Sequence, residues 1–434
     1  MKGYRFITLI VCSSLLMLTV LSPILLSLPA DPKIIWASTQ LHPPAEQAFV
    51  KGKLLPEFKK ETGIDVEFVP LSYADLAVRL EAEEKAGKVT IDLIGELHGG
   101  IDLFASKGWL EDLTKFGPLP GRTFMSLLEK YSVMHGIKAY IPWMTATYVM
   151  VINKKAFKYL PEGLSEKDVI EGTAKWDYYA LLKWARKLME VTGEPKLGFP
   201  AGPKGLFHRF LHGYIYPSFT GAQVVKFSSD KAVEMWKYLK ELWKYVHPAS
   251  TTWDAMADSL LREEVWIAWD HTARIVSAIR ERPEDFVVVP VLRGPEGRGF
   301  ILVVAGLAIP KGAPHEKEAW KLIEFLTRPE VQVVTLTNTG FFPTVKEARG
   351  VIPKGALKIL VEGVSKQLSA KDALVAMIPS LGPKGGEFVS LYREAFTRIV
   401  LKGEPIQPVI KEIGAKLLKL FKEVGAPLPP PDVG

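Results

Sequence analysis

The sequence predicts an α/β protein of two lobes, in which helices cover both faces of a mainly parallel sheet. The chain has 434 residues, whereas a single hydrophobic core stops growing at roughly 250 to 300 residues. After residue 33, strand-like and helix-like segments alternate with short connections, which is the pattern of parallel strands joined by helices. The composition is that of a folded chain, because 48% of the residues are hydrophobic and 24% are charged.

The first predicted elements alternate between strand and helix: a strand at 33–38, a helix at 43–63, a strand at 64–70, a helix at 73–87 and a strand at 89–95. Pro43 and Pro44 open the first helix, and Gly63 and Gly87 end the two helices. Ligands bind beyond the carboxyl ends of the strands in such sheets. We therefore expect contact residues immediately after the three strands, at residues 39–40, 72–73 and 96–98.

A second α/β region follows, and its predicted elements are two short β-runs within 136–157, helices at 173–193 and 228–246, and strands at 262–270, 284–292 and 300–310. The helix at 228–246 places Trp236 and Trp243 on one apolar face, which predicts that both rings are core. From Glu316 onwards the pattern is mostly helical. A proline-rich tail at 426–434 is predicted to be frayed.

The first 30 residues differ from the rest of the chain. Lys2 and Arg5 precede an uncharged run of 23 residues from Phe6 to Leu28, which is long enough to span a bilayer. This run predicts an export signal or a retained membrane anchor, and the sequence leaves both open. The only cysteine, Cys12, lies inside the run without the small preceding residue of a lipoprotein box, so lipidation is not expected.

The residues after this segment exclude several functional classes. They contain no cysteine, which excludes disulfides, thiol nucleophiles and Cys-ligated metals. The formal charge of +7 is a mild excess without a dense basic run, so no nucleic-acid partner is expected. Asn153 and Asn338 are the only asparagines, and this scarcity of heat-labile amides indicates a thermophile.

No catalytic or metal-binding motif is evident. His208 and His212 have helical i, i+4 spacing, but no adjacent Glu or third ligand accompanies them, so packed or exposed histidines are expected in place of a metal site. The chain has no Gly-x-Ser-x-Gly elbow and no phosphate-binding glycine loop. Glu263 and Glu264 are interpreted as a solvated edge, because the sequence cannot show whether two carboxylates flank a cleft. Neither a cofactor nor a metal is therefore expected.

Several segments in succession match one known family in order and spacing: LLPEFKKETGIDVEFVP, VTIDLIGELHGGIDLFASKGWLEDLT, GIKAYIPWMTATYVMVINKKAF, KWDYYALLKWARKL, LAIPKGAPHEKEAWKLIEFLTRPEVQ and NTGFFPTVKEA. They resemble the sugar-binding family of extracellular solute-binding proteins of ABC transporters, which includes maltose- and trehalose-binding proteins. The resemblance covers nearly all of residues 33–350. Any one segment is weak evidence, and the whole series is strong evidence.

The resemblance implies a periplasmic-binding-protein-like fold with a ligand cleft between two lobes and a hinge of three crossings. The crossings are expected near residues 144–146, 270–272 and 338–342, with Trp143 at the mouth of the cleft. The implied division is an export signal or anchor at 1–30, a first lobe of 31–144 plus 272–337, and a second lobe of 145–270 plus 342–434.

The resemblance also implies a function without catalysis. The protein would capture a carbohydrate, a di- or oligosaccharide, by hinge closure and deliver it as a monomer to the permease subunits of an ABC importer. Sugars stack their C–H faces on aromatic rings and need hydrogen bonds for their buried hydroxyls. The candidate ligand-binding residues are the rings of Tyr73, Trp143, Trp253, Phe341 and Phe342 and the polar side chains of Gln40, Glu96, His98, Asp270 and Arg274.

Three departures from the family pattern leave the solute open. Val303, Val304 and Ala305 stand where a Gly-Gly-aromatic element is common, His271 follows Asp270 in place of Gly, and Gly99-Gly100 replaces an aromatic residue. Another small polar solute is one alternative, and a secreted glycoside hydrolase is another. A binder of metals or anions would need clustered His/Tyr or a basic cleft, which the sequence does not reveal. The expected location is extracytoplasmic, at the cell surface, secreted or tethered by residues 6–28.

Overall fold

The computed structural model describes residues 33–352, 355–379 and 381–432, without the side chains of residues 349–351 and 383. The predicted export signal or anchor, residues 1–30, lies outside the described residues. Among the helices that are described, none is both long and apolar enough to cross a membrane.

The strands are β1 Lys33–Ser38, β2 Asp65–Pro70, β3 Leu93–Leu97, β4 Val133–Met134, β5 Ile137–Lys138, β6 Ile141–Ala146, β7 Tyr148–Asn153, β8 Leu197–Gly198, β9 Ile267–His271, β10 Phe286–Val289, β11 Arg298–Ile301, β12 Val303–Ala308, β13 Phe342–Pro343 and β14 Ala373–Ala376.

The α-helices are α1 Pro44–Phe49, α2 Leu55–Thr62, α3 Tyr73–Lys85, α4 His98–Ser106, α5 Ser126–Ser132, α6 Glu166–Glu171, α7 Tyr178–Thr192, α8 Phe207–Phe210, α9 Tyr216–Thr220, α10 Asp230–Trp243, α11 Ala257–Leu261, α12 Thr272–Glu281, α13 Glu316–Leu326, α14 Pro329–Thr339, α15 Ala356–Leu368, α16 Gly385–Phe396 and α17 Ile406–Val424. A π-helical turn, Val50–Leu54, joins α1 to α2 within the predicted helix at 43–63.

The larger sheet has the strand order β13-β6-β12-β3-β1-β2, with β1 parallel to both β2 and β3 and β12 antiparallel to β3 and β6. Trp36 and Ala37 are consecutive in β1 and belong to two different hydrophobic cores. Because successive side chains of a strand point to opposite faces, this sheet is covered on both sides. The prediction of a parallel strand group with helices on both faces is confirmed.

The smaller sheet has the order β10-β7-β9-β8, and β7 runs antiparallel to both of its neighbours. Every residue of β7 is buried. Tyr148 and Met150 pack into one core, while Val149 and Val151 pack into another. A central strand buried on both faces explains why Tyr148–Asn153 is almost wholly apolar.

Two adjacent segments join the larger sheet to other sheets, one to the smaller sheet and one to the β11–β14 pair. β6 passes into β7 through Thr147, and β11 passes into β12 through Leu302. The Thr147 hydroxyl donates to the Ile301 carbonyl at 2.8 Å and accepts from the Gln367 amide at 2.9 Å. The sequence predicted one strand at 300–310. The structure divides it at Leu302, because β11 pairs with β14 and β12 pairs within the larger sheet.

The exact lobe bounds stay a prediction, but strand pairing places one stretch differently from the sequence analysis. Phe286–Val289 pairs with β7 of the smaller sheet, and α12 packs against α11 and α15. Residues 272–289 therefore accompany the second lobe. No change of sheet occurs at residues 270–272, and the chain returns to the larger sheet only at Leu302. A third passage follows β13, between the larger sheet and α15.

The proline-rich tail was predicted to be frayed, and the part that the structure describes is anchored instead. The Asp432 carboxylate accepts the amide N–H groups of Gln223, Val224 and Val225 at 2.6 to 2.8 Å. The Gln223 side chain donates to the Pro430 carbonyl at 2.6 Å. Because one carboxylate accepts three backbone N–H groups, this tail packs against the second lobe.

Candidate functional site

The candidate site lies where the ends of the two sheets meet. In the larger sheet, Leu97 pairs with Ala305 and Ala146 pairs with Val303, so the carboxyl ends of β3 and β6 lie at the end that leads into the links. In the smaller sheet, Tyr148 pairs with His271 at the first residue after Thr147. The loops at these two ends therefore face the space between the lobes, as expected for sheets of this class.

On the first-lobe side, Glu96 is the central polar group. Its side chain is only 3% exposed, and its carboxylate accepts the Leu97 N–H at 2.6 Å. Burial raises the pKa of Glu96 to about 7, although the Thr39 side chain and the Leu97 amide act in the opposite direction. Gln40 follows on the next strand end, where its amide donates to the Thr39 hydroxyl at 2.9 Å. Gln40, Thr39 and Glu96 thus form one polar cluster.

Tyr73 lies beside this cluster at the start of α3, and its ring stacks on Phe104 at 6.1 Å. A Cβ atom on Gly100 would lie 2.6 Å from Glu96 Cγ and 3.0 Å from Tyr73 Cε2. Only glycine fits at this position, which explains one departure from the family pattern. A Cβ on Gly382 would lie 3.9 Å from the Tyr73 ring, so Tyr73 also approaches the second lobe.

His98 is buried at the junction of the lobes. Its Nδ1 lies 3.1 Å from the Tyr140 hydroxyl, and burial lowers the pKa of His98 to about 4. With Gly99 it lines a small cavity whose other wall is Met377, Ile378 and the proline-rich tail. His98 is therefore a neutral packing group at the lobe junction.

Asp270 is fully buried on the second-lobe side. Its carboxylate accepts the N–H of Met256 at 2.9 Å and of His271 at 2.7 Å. Burial raises the pKa of Asp270 to about 7, and these two backbone hydrogen bonds oppose the shift. The side chain holds the 253–256 loop against the end of β9 and presents no free face to a solute.

Two other predicted residues lie near this loop and are half-buried. Trp253 stacks on His247 with centroids 4.7 Å apart and rings 16° from parallel. The Arg274 guanidinium donates to the Asp254 carbonyl at 2.6 Å and to the Lys204 carbonyl at 3.3 Å. Both side chains lie near the end of β9 that Asp270 joins to the 253–256 loop, and their contact with a solute stays a prediction.

Two predicted ring contacts lie in the cores instead. Trp143, expected at the cleft mouth, is fully buried and contacts Trp36 edge-on at 5.2 Å. It falls at the register shift between β6 and β12, and a bulge of this kind redirects a side chain. Phe342 is buried in the core of the smaller sheet, and Phe341 packs half-buried on the core of the larger one.

The structure also brings together residues that the sequence analysis did not single out. Arg209 is half-buried on α8, where its Nη1 lies 3.2 Å from His212 Nε2. It also interacts with the Tyr148 hydroxyl at the start of β7. No spacing signal connects positions 148 and 209, so only the fold could reveal this contact.

The two histidines with helical spacing are packed, as predicted. His212 Nδ1 lies 2.7 Å from the Gln223 side-chain oxygen, and the rings of His208 and His212 are 6.3 Å apart. Across the described part of the chain, no three His, Cys, Asp or Glu side chains are grouped so that they could hold a metal ion.

Comparison with known proteins gives a family match and several structural neighbours. The family model for the bacterial extracellular solute-binding protein matches residues 40–333. No curated protein matches the sequence significantly.

The structural neighbours share the two-lobed fold at low sequence identity. The sugar-binding protein MalE from the phytopathogen Xanthomonas citri has a TM-score of 0.70 and 16% identity, over 90% of this chain and 98% of that one. Maltose-bound T. maritima MalE3 has a TM-score of 0.63 and 20% identity, over 90% and 100%. UgpB from Mycobacterium tuberculosis, in complex with glycerophosphocholine, has a TM-score of 0.63 and 18% identity, over 91% and 98%.

Proposed function

The chain belongs to the bacterial extracellular solute-binding protein family, and from this premise we propose that it captures a carbohydrate between its lobes and delivers it to an ABC importer. The single observation that supports this proposal is that polar and aromatic side chains lie near the ends of both sheets that meet at the links. Gln40, Tyr73 and Glu96 lie on one side, and Trp253 and Arg274 lie on the other.

The mechanism is closure about the two links. A solute that contacts both lobes stabilises the closed state relative to the open state, and only this difference in affinity drives closure. Thr147 and Leu302 are single residues between strands of different sheets, which are positions where small backbone rotations move one lobe against the other. The closed, loaded form would then dock as a monomer on the permease subunits.

The side chains suit a carbohydrate. The half-buried rings of Tyr73 and Trp253 offer faces for sugar C–H groups, while Gln40 and Arg274 offer donors for hydroxyls. Two of the structural neighbours support this class, since one is a sugar-binding MalE and another holds maltose.

The family is one of binding proteins, and we propose that this chain performs no catalysis. Glu96 and Asp270 are the buried carboxyl groups of the site, and each already accepts backbone N–H groups. A glycoside hydrolase needs two carboxyl groups that reach the glycosidic bond. The protein acts outside the cytoplasm, as its family does, and residues 6–28 would tether it to the membrane if they are retained.

A solute panel tests the function directly. We expect one mono-, di- or oligosaccharide to raise the midpoint of thermal unfolding of the full chain in detergent and to be recovered intact. A ligand at about 100 times its dissociation constant adds roughly 2.7 kcal/mol to the free energy of unfolding. If no carbohydrate moves the midpoint, the sugar assignment is wrong. Recovery of a cleaved sugar would refute the binding-protein function itself.

The Tyr73 ring should contribute to solute affinity. We expect Tyr73→Ala to weaken binding of the sugar found in the panel by about tenfold, because stacking on an aromatic face contributes about 0.5 to 1.5 kcal/mol beyond buried area. The measurement is calorimetric titration of both proteins. Tyr179→Ala is the matched control, since Tyr179 is 48% exposed on α7 of the second lobe. Equal affinities for the two variants would remove Tyr73 from the site.

A further inference from the structure

We propose that the second-lobe face of the cleft binds an oxyanion of the solute, a carboxylate or a phosphate, through the guanidinium groups of Arg209, Arg274 and Arg393. This inference rests on the proposed function, because it narrows the chemical class of the solute. The solute would be a sugar or a small polyol that carries negative charge.

Two of the arginines hold the same loop from different elements. Arg274, in the first turn of α12, donates to the Lys204 carbonyl at 3.3 Å. Arg393, on α16, donates to the Gly202 carbonyl at 3.3 Å and to the Gly205 carbonyl at 2.5 Å. Because both guanidinium groups bind within residues 202–205, the fold brings together charges that are 119 residues apart in the chain.

The third arginine follows this loop directly. Arg209 and His208 lie on α8, which begins at Phe207. Burial lowers the pKa of His208 far below its ordinary value, and the positive charges of Arg209, Arg393 and Arg274 lower it further. His208 therefore stays neutral, and the charges of all three guanidinium groups act on it.

These positive charges lack carboxylate partners. Among the residues that the structure describes, no Asp or Glu oxygen lies within 4 Å of a nitrogen of Arg209, Arg274 or Arg393, although 30 such ion pairs occur elsewhere. Two carboxylates act on these charges at longer range, Asp254 on Arg393 and Asp270 on Arg274. Their oxygens accept backbone N–H groups, of Lys204 at 2.8 Å for Asp254 and of Met256 and His271 for Asp270.

Two buried nitrogen atoms in the cluster also lack hydrogen-bond partners within the described residues, Arg209 Nε and His208 Nδ1. Buried polar groups are ordinarily hydrogen-bonded, and a buried cation without a counter-charge is costly. An oxyanion would supply the counter-charge and an acceptor for the Arg209 Nε–H, since guanidinium groups bind carboxylates and phosphates with paired, charge-assisted hydrogen bonds.

The cluster lies at the cleft. Arg209 interacts with Tyr148, the first residue after the Thr147 link. The ring of His271 contacts Tyr148 at 4.8 Å, and the charges of Arg274 and Arg209 both act on His271. The anionic end of the solute would thus bind the second lobe, while its hydroxyl groups face Gln40 and Tyr73 on the first.

Calorimetric titration of the full chain in detergent, at low ionic strength, tests the inference. The probes are glucose, glucuronate and glucose 6-phosphate, with maltose as a larger neutral solute, digalacturonate as a larger anionic one and glycerophosphocholine as a zwitterionic phosphodiester. We expect an anionic probe to bind and its neutral counterpart to bind at least about tenfold more weakly. Comparison of the affinities for glucuronate and digalacturonate with those for the two phosphate-containing probes shows whether the oxyanion is a carboxylate or a phosphate.

Arg209→Gln should weaken binding of the preferred anion by about tenfold to a hundredfold, the range for one hydrogen bond to a charged group. Arg122→Gln is the matched control, because Arg122 also donates to backbone carbonyls but lies in the first lobe. Its affinity should change by less than about twofold. If Arg209→Gln fails to fold, the titration of the unaltered protein is repeated with added salt instead. Screening of the charges should weaken its binding of the anion.

Two results would overturn the inference. If neutral sugars bind as tightly as anions, and neither salt nor Arg209→Gln changes affinity, the arginines only hold the 202–205 loop and the proposed carbohydrate function stands. If no probe of either class binds and the wider sugar panel is also negative, both proposals fall.

Discussion

Replacing Arg298 by leucine is expected to lower the free energy of unfolding by about 3 to 5 kcal/mol, the loss typical of a broken buried ion pair. Arg298 begins β11 and is 1% exposed. Its guanidinium donates to the Val291 carbonyl, to the Gly172 carbonyl at 2.6 Å and to the Asp372 carboxylate at 3.3 Å. The substitution would strand these acceptors and loosen the strand that leads into Leu302.

Arg293→Leu is the matched control, because Arg293 binds the same carboxylate. Its Nε lies 3.2 Å from Asp372 Oδ2, but its side chain is 39% exposed. An exposed ion pair contributes at most about 1 kcal/mol, so the control should unfold almost like the unaltered protein. Urea unfolding followed by tryptophan fluorescence measures both variants. If the two substitutions lowered the free energy of unfolding by similar amounts, burial of Arg298 would add nothing to the stability that its ion pair provides.

Raising the pH should destabilise the folded protein through Glu96. The unfolded side chain titrates at about 4.5 and the folded one at about 7, because the carboxyl group is buried. The folded state therefore holds a proton that the unfolded state releases. The stabilising contribution is complete below about pH 4.5 and is lost as the pH rises through about 7. The shift corresponds to about 3 kcal/mol.

The difference in unfolding free energy between the unaltered protein and Glu96→Gln isolates this contribution, since the amide does not titrate. We expect that difference to fall by about 3 kcal/mol between acidic and mildly alkaline pH. Glu67→Gln is the control. Its ion pair with Lys33 lowers the pKa of Glu67. The difference in unfolding free energy between the unaltered protein and Glu67→Gln should therefore change only slightly with pH, and with the opposite sign. A difference for Glu96→Gln that does not vary with pH would contradict a buried, protonated carboxyl group.

The elements with strong local signals could be predicted from the sequence. The structure begins α3 with a Ser72 cap on the Asp75 N–H and ends α2 at Gly63 with a left-handed φ of 73°. Ser229 caps α10, whose apolar face buries Trp236 as predicted and packs Trp243, half-buried, against the same core. These features depend on residues within one or two turns of each other, so the chain itself contains the required information.

The candidate site was predicted less completely. Gln40 and Tyr73 follow β1 and β2, and Glu96 is the penultimate residue of β3. All three lie near the carboxyl ends of strands, where the rule for such sheets expects ligands, and their contact with a solute stays a prediction. Trp143 was misplaced because its burial depends on a bulge against β12, about 160 residues later in the chain. Arg209 was missed because its contact with the Tyr148 side chain joins two positions with no local relation in the chain.

The sequence by itself determined the order of strands and helices, the need for two lobes and, through the series of matched segments, the family. Hydrophobic periodicity specifies which face of an element is buried. It does not specify which distant element covers that face. Only the tertiary structure decided that the strand at 300–310 is divided between two sheets at Leu302. It also decided that Arg274 and Arg393 bind one loop, 202–205, which Arg209 follows in the chain, because such contacts arise from packing between segments that have no local relation in the chain.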